Sequence, residues 1–176
     1  MIVVVLGGSG SGKTEFCLAC EKIGIPQVIT NTSRARRSSD KPNAYHFRTK
    51  EEFEDLIEQG ELLEYAVYNN NYYGITKDSI TNPCIVVVEP QGYFKLREFY
   101  GDEVFMVYLE VSDEERARRA LLRGDNLESV NSRQETDKEL FSENIKSEAD
   151  LVLTDISLEE IPLIIDKYKN IWQNRG

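Results

Sequence analysis

The sequence contains few residues of the kinds that mark secreted or membrane proteins. Its 176 residues include three cysteines and one histidine, and its apolar runs are too short to cross a membrane. The odd number of cysteines does not suggest a disulfide framework. The apolar run near the start is short and lacks the basic flank of a signal peptide. We therefore expect a cytoplasmic protein without membrane contact.

Positive charge is also scarce. The chain has 21 lysine and arginine residues against 31 acidic ones, which gives a net charge of −10. A broad basic face for nucleic acid is therefore not expected, and only a local concentration of positive charge would bind a small anion. The hydrophobic fraction of 40% and the chain length fit one soluble domain with its own core. Nothing in the composition predicts an oligomeric state.

Glycine and positive charge come together directly after the first apolar segment, Ile2 to Leu6. The next eight residues, Gly7 to Thr14, fit the phosphate-binding motif G-x-x-x-x-G-K-[ST] of a P-loop. In this motif, glycines let backbone N–H groups turn toward phosphate oxygens. Lys13 would contact the β- and γ-phosphates of ATP, and the Thr14 hydroxyl would ligate Mg²⁺. The predicted ATP site consists of Ser9, Gly10, Ser11, Gly12, Lys13 and Thr14.

Cys17 and Cys20 form a C-x-x-C pair in the helix predicted after this loop. Such a pair occurs in redox and metal sites, but the sequence has no second Cys/His cluster, and His46 stands alone. Free cysteines inside helices are more often small buried apolar residues. We therefore favour packing over redox or metal chemistry for this pair.

A polar loop rich in arginine follows a short predicted strand, Gln27 to Thr30. Arg34, Arg36 and Arg37 lie within four positions of an otherwise acidic protein. A run of charge is by default a solvated loop. Here the preceding strand is expected to lie beside the strand Ile2 to Leu6, so the arginines would lie near the phosphate site. The planar guanidinium group of arginine suits phosphate recognition.

The sequence pattern of residues 31–82 differs from that of the rest of the chain, because it predicts short strands and a short helix. A capping box at Thr49 and Glu52 predicts a short helix, and Leu62 to Tyr68 and Asn71 to Ile75 predict a hairpin. The segment is a small α+β insertion. Its many tyrosines suit internal packing, and they equally suit contact with a planar ligand.

Long apolar strands then return and predict a parallel sheet that is covered on both faces. Cys84 to Val88, Val104 to Leu109 and Asp150 to Thr154 complete an expected five-stranded parallel sheet in a three-layer α/β core that carries the P-loop. Residues 124–140 follow a Gly-Asp-Asn break and form an expected helical lid. In this single domain the core comprises residues 1–30, 83–123 and 141–176.

Several of these segments occur in an order similar to the guanylate kinase family over nearly the whole chain. The P-loop resembles that family's G-P-S-G-S-G-K-S, with Gly8 in place of the proline. Asn71 to Gly74 matches the family's N-Y-Y-G. Further matching segments are Thr32 to Arg37, Tyr45 to Phe47, Gly60 to Ala66, Gln91 to Gly92, Arg118 to Gly124, and Arg133.

The resemblance implies an enzyme that transfers the γ-phosphoryl group of ATP, with Mg²⁺, to GMP or dGMP. Glu64 is implied to accept hydrogen bonds from the guanine edge, where an acceptor-only group suits the N1–H and amine donors. The lid arginines would supply positive charge where charge develops in phosphoryl transfer. The implied catalytic residues are Lys13, Arg34, Arg123 and Arg133. The implied monophosphate-binding residues are Thr30, Arg34, Arg37, Tyr45, Glu64, Tyr73 and Glu89.

The chain departs from the family pattern at base-contacting positions. Ile75 replaces the usual Thr or Ser, Val87 stands at an acidic position, and Thr154 replaces the Asn that helps hold adenine. Glu89 with its following proline replaces an Asp and its neighbour. These changes predict a base preference that is relaxed or changed. Two other functions stay open: a catalytically inactive interaction module, and a kinase for another nucleotide or a phosphorylated sugar.

Overall fold

A computed structural model describes residues 1–36, 40, 42–68, 70–141, 143–154 and 160–173, with only the backbone described for residues 68 and 169–173. The strands are β1 (Ile2–Leu6), β2 (Asn31–Thr32), β3 (His46–Phe47), β4 (Leu62–Tyr68), β5 (Asn71–Thr76), β6 (Cys84–Val87), β7 (Val104–Glu110) and β8 (Leu151–Thr154). The helices are α1 (Lys13–Glu21), α2 (Lys50–Glu58), α3 (Pro90–Tyr100), α4 (Asp113–Leu122), α5 (Leu127–Leu140), α6 (Glu143–Ser147) and α7 (Ile161–Gln173).

A parallel sheet in the order β6-β1-β7-β8 forms the centre of the core. Successive side chains of β1 enter two different apolar clusters, since Val4 joins one and Val3 and Val5 join the other. The first cluster includes Leu96 of α3, and the second includes residues of α1 and α7. The central strand is buried on both faces, which explains its unbroken apolar sequence. The predicted three-layer α/β fold is confirmed.

The predicted fifth strand is the main difference from this expectation. Within the described residues the parallel sheet has four strands, and the segment expected over Gln27 to Thr30 contributes one isolated bridge between Gln27 and Ile85. The N–H of Val28 still donates to the carbonyl of Ile85, at 2.8 Å. Chain pairing beside β6 is thus too short to count as a strand. The last helix begins at Ile161, while its expected start, Ser157, lies outside the described residues.

The insertion forms a second sheet in the order β3-β2-β5-β4. The capping box of α2 is confirmed, because Glu52 N–H donates to Thr49 Oγ1 and Thr49 N–H donates to a Glu52 carboxylate oxygen. Phe53 of α2 is fully buried and stacks on Tyr72 of β5 at 5.0 Å between ring centroids. Ile75 of β5 is part of the apolar cluster that contains Val4, so the second sheet packs onto the core.

The two polar helices α4 and α5 meet at a short joint. Gly124 has a positive φ of 95°, and the side chain of Asn126 caps α5 by accepting a hydrogen bond from Ser129 N–H at 2.8 Å. The expected helix break and the start of α5 at Leu127 are both confirmed. None of the helices in the described ranges is long and apolar enough to cross a membrane.

Candidate active site

The P-loop joins β1 to α1 with a backbone that requires glycine. Gly10 and Gly12 have φ values of 84° and 96°, in the left-handed region that other residues rarely adopt. A Cβ atom at Gly10 would also lie 2.8 Å from the carbonyl oxygen of Arg116. Gly12 occupies the N-cap position of α1, so the helix begins with Lys13 and directs its N-terminus toward the loop.

Lys13 folds back over the P-loop. Its Nζ donates hydrogen bonds to the carbonyl oxygens of Gly7, at 2.6 Å, and Gly8, at 2.9 Å. Burial lowers the pKa of Lys13 to about 8, against the opposing effect of the nearby Asp137 carboxylate. The ammonium group is thus held at the mouth of the loop by neutral carbonyl acceptors that a phosphate could outcompete.

Helix α5, which the sequence predicted to be part of a lid, lies over the same loop. Arg133 Nη1 is 3.4 Å from Ser9 Oγ, while its Nη2 donates to Asp125 at 2.9 Å and to Ser129 Oγ at 2.8 Å. Arg123 binds the same Asp125 carboxylate, at 2.7 Å, and its side chain is 59% exposed. The two predicted lid arginines therefore share one carboxylate, and only Arg133 contacts the P-loop directly.

A cavity of about 420 Å³ joins the P-loop, the insertion and the lid. It brings together Ser9 and Lys13 with the lid residues Arg133 and Asp137. Five of the residues that the sequence predicted for the monophosphate also line it: Thr30, Tyr45, Glu64, Tyr73 and Glu89. The sequence-distant candidates for the two nucleotides thus border one shared space.

Arg34 is not among the residues that line this cavity. Its guanidinium makes two hydrogen bonds of 3.0 Å to the Asp40 carboxylate, and both side chains are nearly buried. The Arg34 Cζ atom lies 5.4 Å from the centre of the Tyr45 ring, and Tyr45 does line the cavity. Asp40 thus occupies the fork that the sequence assigned to a phosphate. Arg37, the second predicted arginine, lies outside the described residues.

Glu64 and Glu89 form an acidic pair on the insertion side of the cavity. Burial and, to a smaller extent, the negative charge of Glu89 together raise the pKa of Glu64 to about 7. Burial also raises the pKa of Glu89. The Glu64 carboxylate lies against the first turn of α3, because a Cβ atom at Gly92 would be 3.1 Å from Glu64 Oε2. Near neutral pH Glu64 is therefore poised between its charged and neutral forms.

The family model for guanylate kinase matches residues 1–171. A guanylate kinase of Desulfitobacterium hafniense (strain Y51) is 32% identical over 183 residues, which cover 97% of this chain and 88% of the relative. A guanylate kinase of Clostridioides difficile (strain 630) is 31% identical over 192 residues, with 97% and 93% covered. The chain belongs to the guanylate kinase family.

The fold agrees with this family membership. The crystal structure of guanylate kinase from Anaplasma phagocytophilum superposes with a TM-score of 0.62 and 24% sequence identity. The match covers 99% of this chain and 85% of that chain. The resemblance to the guanylate kinase family that the sequence motifs indicated is therefore confirmed.

The structure places three further charged residues at the P-loop of this family member. Asp137 accepts a hydrogen bond from Ser9 N–H, and Arg116 donates to the carbonyl of Ser9 at 3.1 Å. Arg119 Nη1 lies 3.7 Å from the Cβ position of Gly12. Arg116, Arg119 and Arg123 follow one another at helical spacing, a signal in the sequence that one face of α4 is basic. No sequence signal identified Asp137.

The positions that depart from the family pattern fall in different environments. Val87 lines the cavity, so an apolar side chain borders the space where the family pattern places an acidic one. Ile75 is fully buried in the apolar core and is not among the residues that line the cavity. Thr154 ends β8 and is exposed. Of these three departures, Val87 is the one that borders the cavity, and Glu89, which replaces an Asp of the family pattern, borders it as well.

The C-x-x-C pair has a packing role. Cys17 and Cys20 are fully buried in the cluster between α1 and α7, and both are free thiols. Burial raises the pKa of each thiol to about 12, so both are protonated at neutral pH and unreactive. The packing interpretation of this pair is confirmed.

Proposed function

We propose that this member of the guanylate kinase family is an ATP-dependent nucleoside monophosphate kinase, which converts GMP or dGMP and ATP to the nucleoside diphosphate and ADP. The observation that carries the proposal is the shared cavity of about 420 Å³, which is lined both by Lys13 of the P-loop and by Glu64 of the insertion. Phosphoryl transfer between two nucleotides needs both phosphate ends in one water-poor space. The curated relatives named above are themselves guanylate kinases.

The donor nucleotide would occupy the P-loop. Its β- and γ-phosphates would accept hydrogen bonds from the backbone of residues 9–14 and from Lys13, which would exchange its carbonyl partners for phosphate oxygens. Mg²⁺ would neutralise the phosphates, and the exposed Thr14 hydroxyl at the first turn of α1 is a suitable oxygen ligand for it. Arg133 already touches Ser9 and would add positive charge above the transferred group.

The acceptor would bind against the insertion. Glu64 in its charged form offers two acceptor oxygens to the guanine N1–H and amine, and Thr30 borders the same space. Tyr45, Tyr73 and the Arg34 fork would hold the monophosphate, which would replace Asp40 on Arg34. Arg37 and Glu89 complete the proposed set. No general base is needed, because positioning and charge neutralisation supply most of the rate in phosphoryl transfer.

We also propose that the chain accepts bases other than unmodified guanine. The support is Val87, an apolar side chain on the wall of the cavity where the family pattern has an acidic one. A site that loses polar contacts to one base loses its means of rejecting others. The remaining parts of the proposal are a cytoplasmic location and a division into core, insertion (residues 31–82) and lid (residues 124–140).

The proposed function is tested by Mg²⁺-dependent ADP formation from ATP with a panel of ribo- and deoxynucleoside monophosphates and with phosphorylated sugars. We expect turnover with GMP and dGMP, additional turnover with at least one modified or non-guanine base, and none in a Lys13→Met variant. Turnover with guanine acceptors alone would leave the kinase assignment standing and remove the altered base preference. Absence of turnover with every acceptor would instead support an interaction module.

Glu64 gives the acceptor site a specific pH dependence. Its pKa of about 7 means that raising the pH from 6 to 8 converts most molecules from the neutral to the charged carboxylate. We therefore expect KM for GMP to fall about tenfold over this interval, because the charged form is the better acceptor for guanine. Steady-state kinetics at constant ionic strength measures it.

A Glu64→Gln variant is the control for this pH dependence. The GMP phosphate itself titrates near pH 6, and that contribution persists in the variant while the Glu64 contribution disappears. We expect a clearly flatter pH profile for KM in Glu64→Gln than in the unmodified chain. Identical profiles in both proteins would show that Glu64 does not titrate in contact with the base.

A further inference from the structure

Asp137 occupies a phosphate-type position on the P-loop. Its Oδ2 atom accepts hydrogen bonds from Ser9 N–H, at 2.7 Å, and from Arg116 Nη1, at 2.5 Å. The carboxylate side chain is only 12% exposed. Backbone N–H groups of a P-loop are the donors that bind phosphate oxygens, and a carboxylate oxygen is the nearest protein equivalent of such an oxygen.

Arg116 is fixed directly above the loop. Its side chain is 7% exposed, and its second nitrogen, Nη2, donates to Asp113 on the same helix at 2.7 Å. Gly8 makes this position possible, because a Cβ atom there would lie 2.1 Å from Arg116 Nη1 and 2.5 Å from Cζ. The absence of a side chain at Gly8 thus opens the space that the guanidinium fills.

We propose that Arg116 binds a phosphate oxygen of the donor nucleotide and that Asp137 occupies the place of this oxygen until the nucleotide binds. The inference rests on the proposed function, since it takes ATP as the ligand of the P-loop. When the nucleotide binds, Ser9 N–H and Arg116 Nη1 donate their hydrogen bonds to the phosphate oxygen instead of to the Asp137 carboxylate. Asp113 keeps the guanidinium oriented throughout, because it holds the other nitrogen.

The displaced carboxylate must move away from the phosphates. A phosphate and the Asp137 carboxylate that approach the same hydrogen-bond donors repel each other strongly in a partly buried site. Asp137 lies one turn after Arg133 on α5, and both side chains contact Ser9, so a reorientation of this helix would move both of them relative to the P-loop. Asp137 is thus a competitor of ATP in the free protein, and Arg116 is a binding residue in the complex.

An Asp137→Asn variant tests the competition. The amide oxygen still accepts the two hydrogen bonds, so the fold is kept, but these bonds lose their charge assistance and the repulsion of phosphate disappears. We expect the variant to bind MgATP about tenfold more tightly by titration calorimetry. Glu139→Gln is the matched control, an exposed residue of the same helix with the same change in charge, and we expect no change in its affinity.

Gly8→Ala tests Arg116 without removing it. The added methyl group displaces the end of the Arg116 side chain from above the loop, and Gly8 has no positive φ that would strain alanine. The methyl group would also lie 2.9 Å from Asp137 Oδ2, so the substitution is made both in the unmodified chain and in the Asp137→Asn variant, where the competing charge is already gone. We expect about tenfold weaker MgATP binding. Arg116→Lys should weaken binding similarly, because one ammonium cannot hold Asp113 and a phosphate together. A variant with both Gly8→Ala and Arg116→Lys should bind MgATP no more weakly than either single variant, since both substitutions remove the same contact between Arg116 and the phosphate.

The outcomes separate this inference from the proposed function. MgATP binding by the unmodified chain with unchanged or weaker binding by Asp137→Asn would overturn the competition and make Asp137 a structural contact of the lid. If Gly8→Ala leaves the MgATP affinity of the Asp137→Asn variant unchanged, the role of Arg116 is overturned. No MgATP binding by the unmodified chain would overturn the proposed function itself. Thermal melting of each variant establishes that it is folded.

Discussion

Replacing Lys13 with methionine should lower kcat/KM for ADP formation by about a thousandfold or more and leave the fold intact. The ammonium is bound to the carbonyls of Gly7 and Gly8 and is the cation that the P-loop motif assigns to the β- and γ-phosphates. Methionine fills a similar volume and carries no charge that burial would penalise. We therefore expect a melting temperature that is equal or higher, together with the loss of activity.

Lys22→Met is the control for this variant. Lys22 lies just beyond the end of α1 and is exposed, so the same substitution there changes net charge without touching the P-loop. Coupled measurement of ADP production over a range of ATP concentrations compares the two. Activity of Lys13→Met within a few-fold of the unmodified chain would remove the P-loop lysine from the mechanism.

Replacing Arg133 with methionine is the second change with a large expected effect. Arg133 is the lid arginine in contact with Ser9, and its side chain is 27% exposed, so it acts in a partly water-excluded site. We expect kcat to fall about a hundredfold or more, with a smaller change in KM for GMP, because the added charge matters most as the transferred group develops charge. The cost to folding should be small, since Asp125 keeps Arg123 as a partner.

Arg118→Met provides the comparison. Arg118 is 60% exposed and pairs with Glu115 on the outer side of α4, so its loss removes the same charge and a similar ion pair. Steady-state kinetics with both nucleotides should show unchanged kcat for this variant. Equal losses for the Arg118 and Arg133 variants would indicate that net charge, and not the position over Ser9, governs the rate.

Much of the fold followed from local patterns. The unbroken apolar residues of Ile2–Leu6 predicted a strand buried on both faces, and the Thr49 capping box and the joint at Gly124 marked helix boundaries to within a residue. The prediction of a strand over Gln27 to Thr30 was wrong, because the length of a strand depends on how far the neighbouring strand runs alongside it. Here the pairing with β6 is limited to one bridge, between Gln27 and Ile85. Local sequence carries no information about the extent of that pairing.

The sequence by itself determined the P-loop, the buried strand before it and the polar lid, since glycine positions, apolar runs and caps act over a few residues. It also determined the family, through motifs spread along the chain. Only the tertiary structure decided that Arg116 and Asp137 meet over Gly8, that Asp40 fills the fork of Arg34, and that Val87 rather than Ile75 borders the cavity. The first contact joins two different helices, the second depends on the path of a loop, and the third depends on which residue of the chain meets the open space, and packing fixes all three.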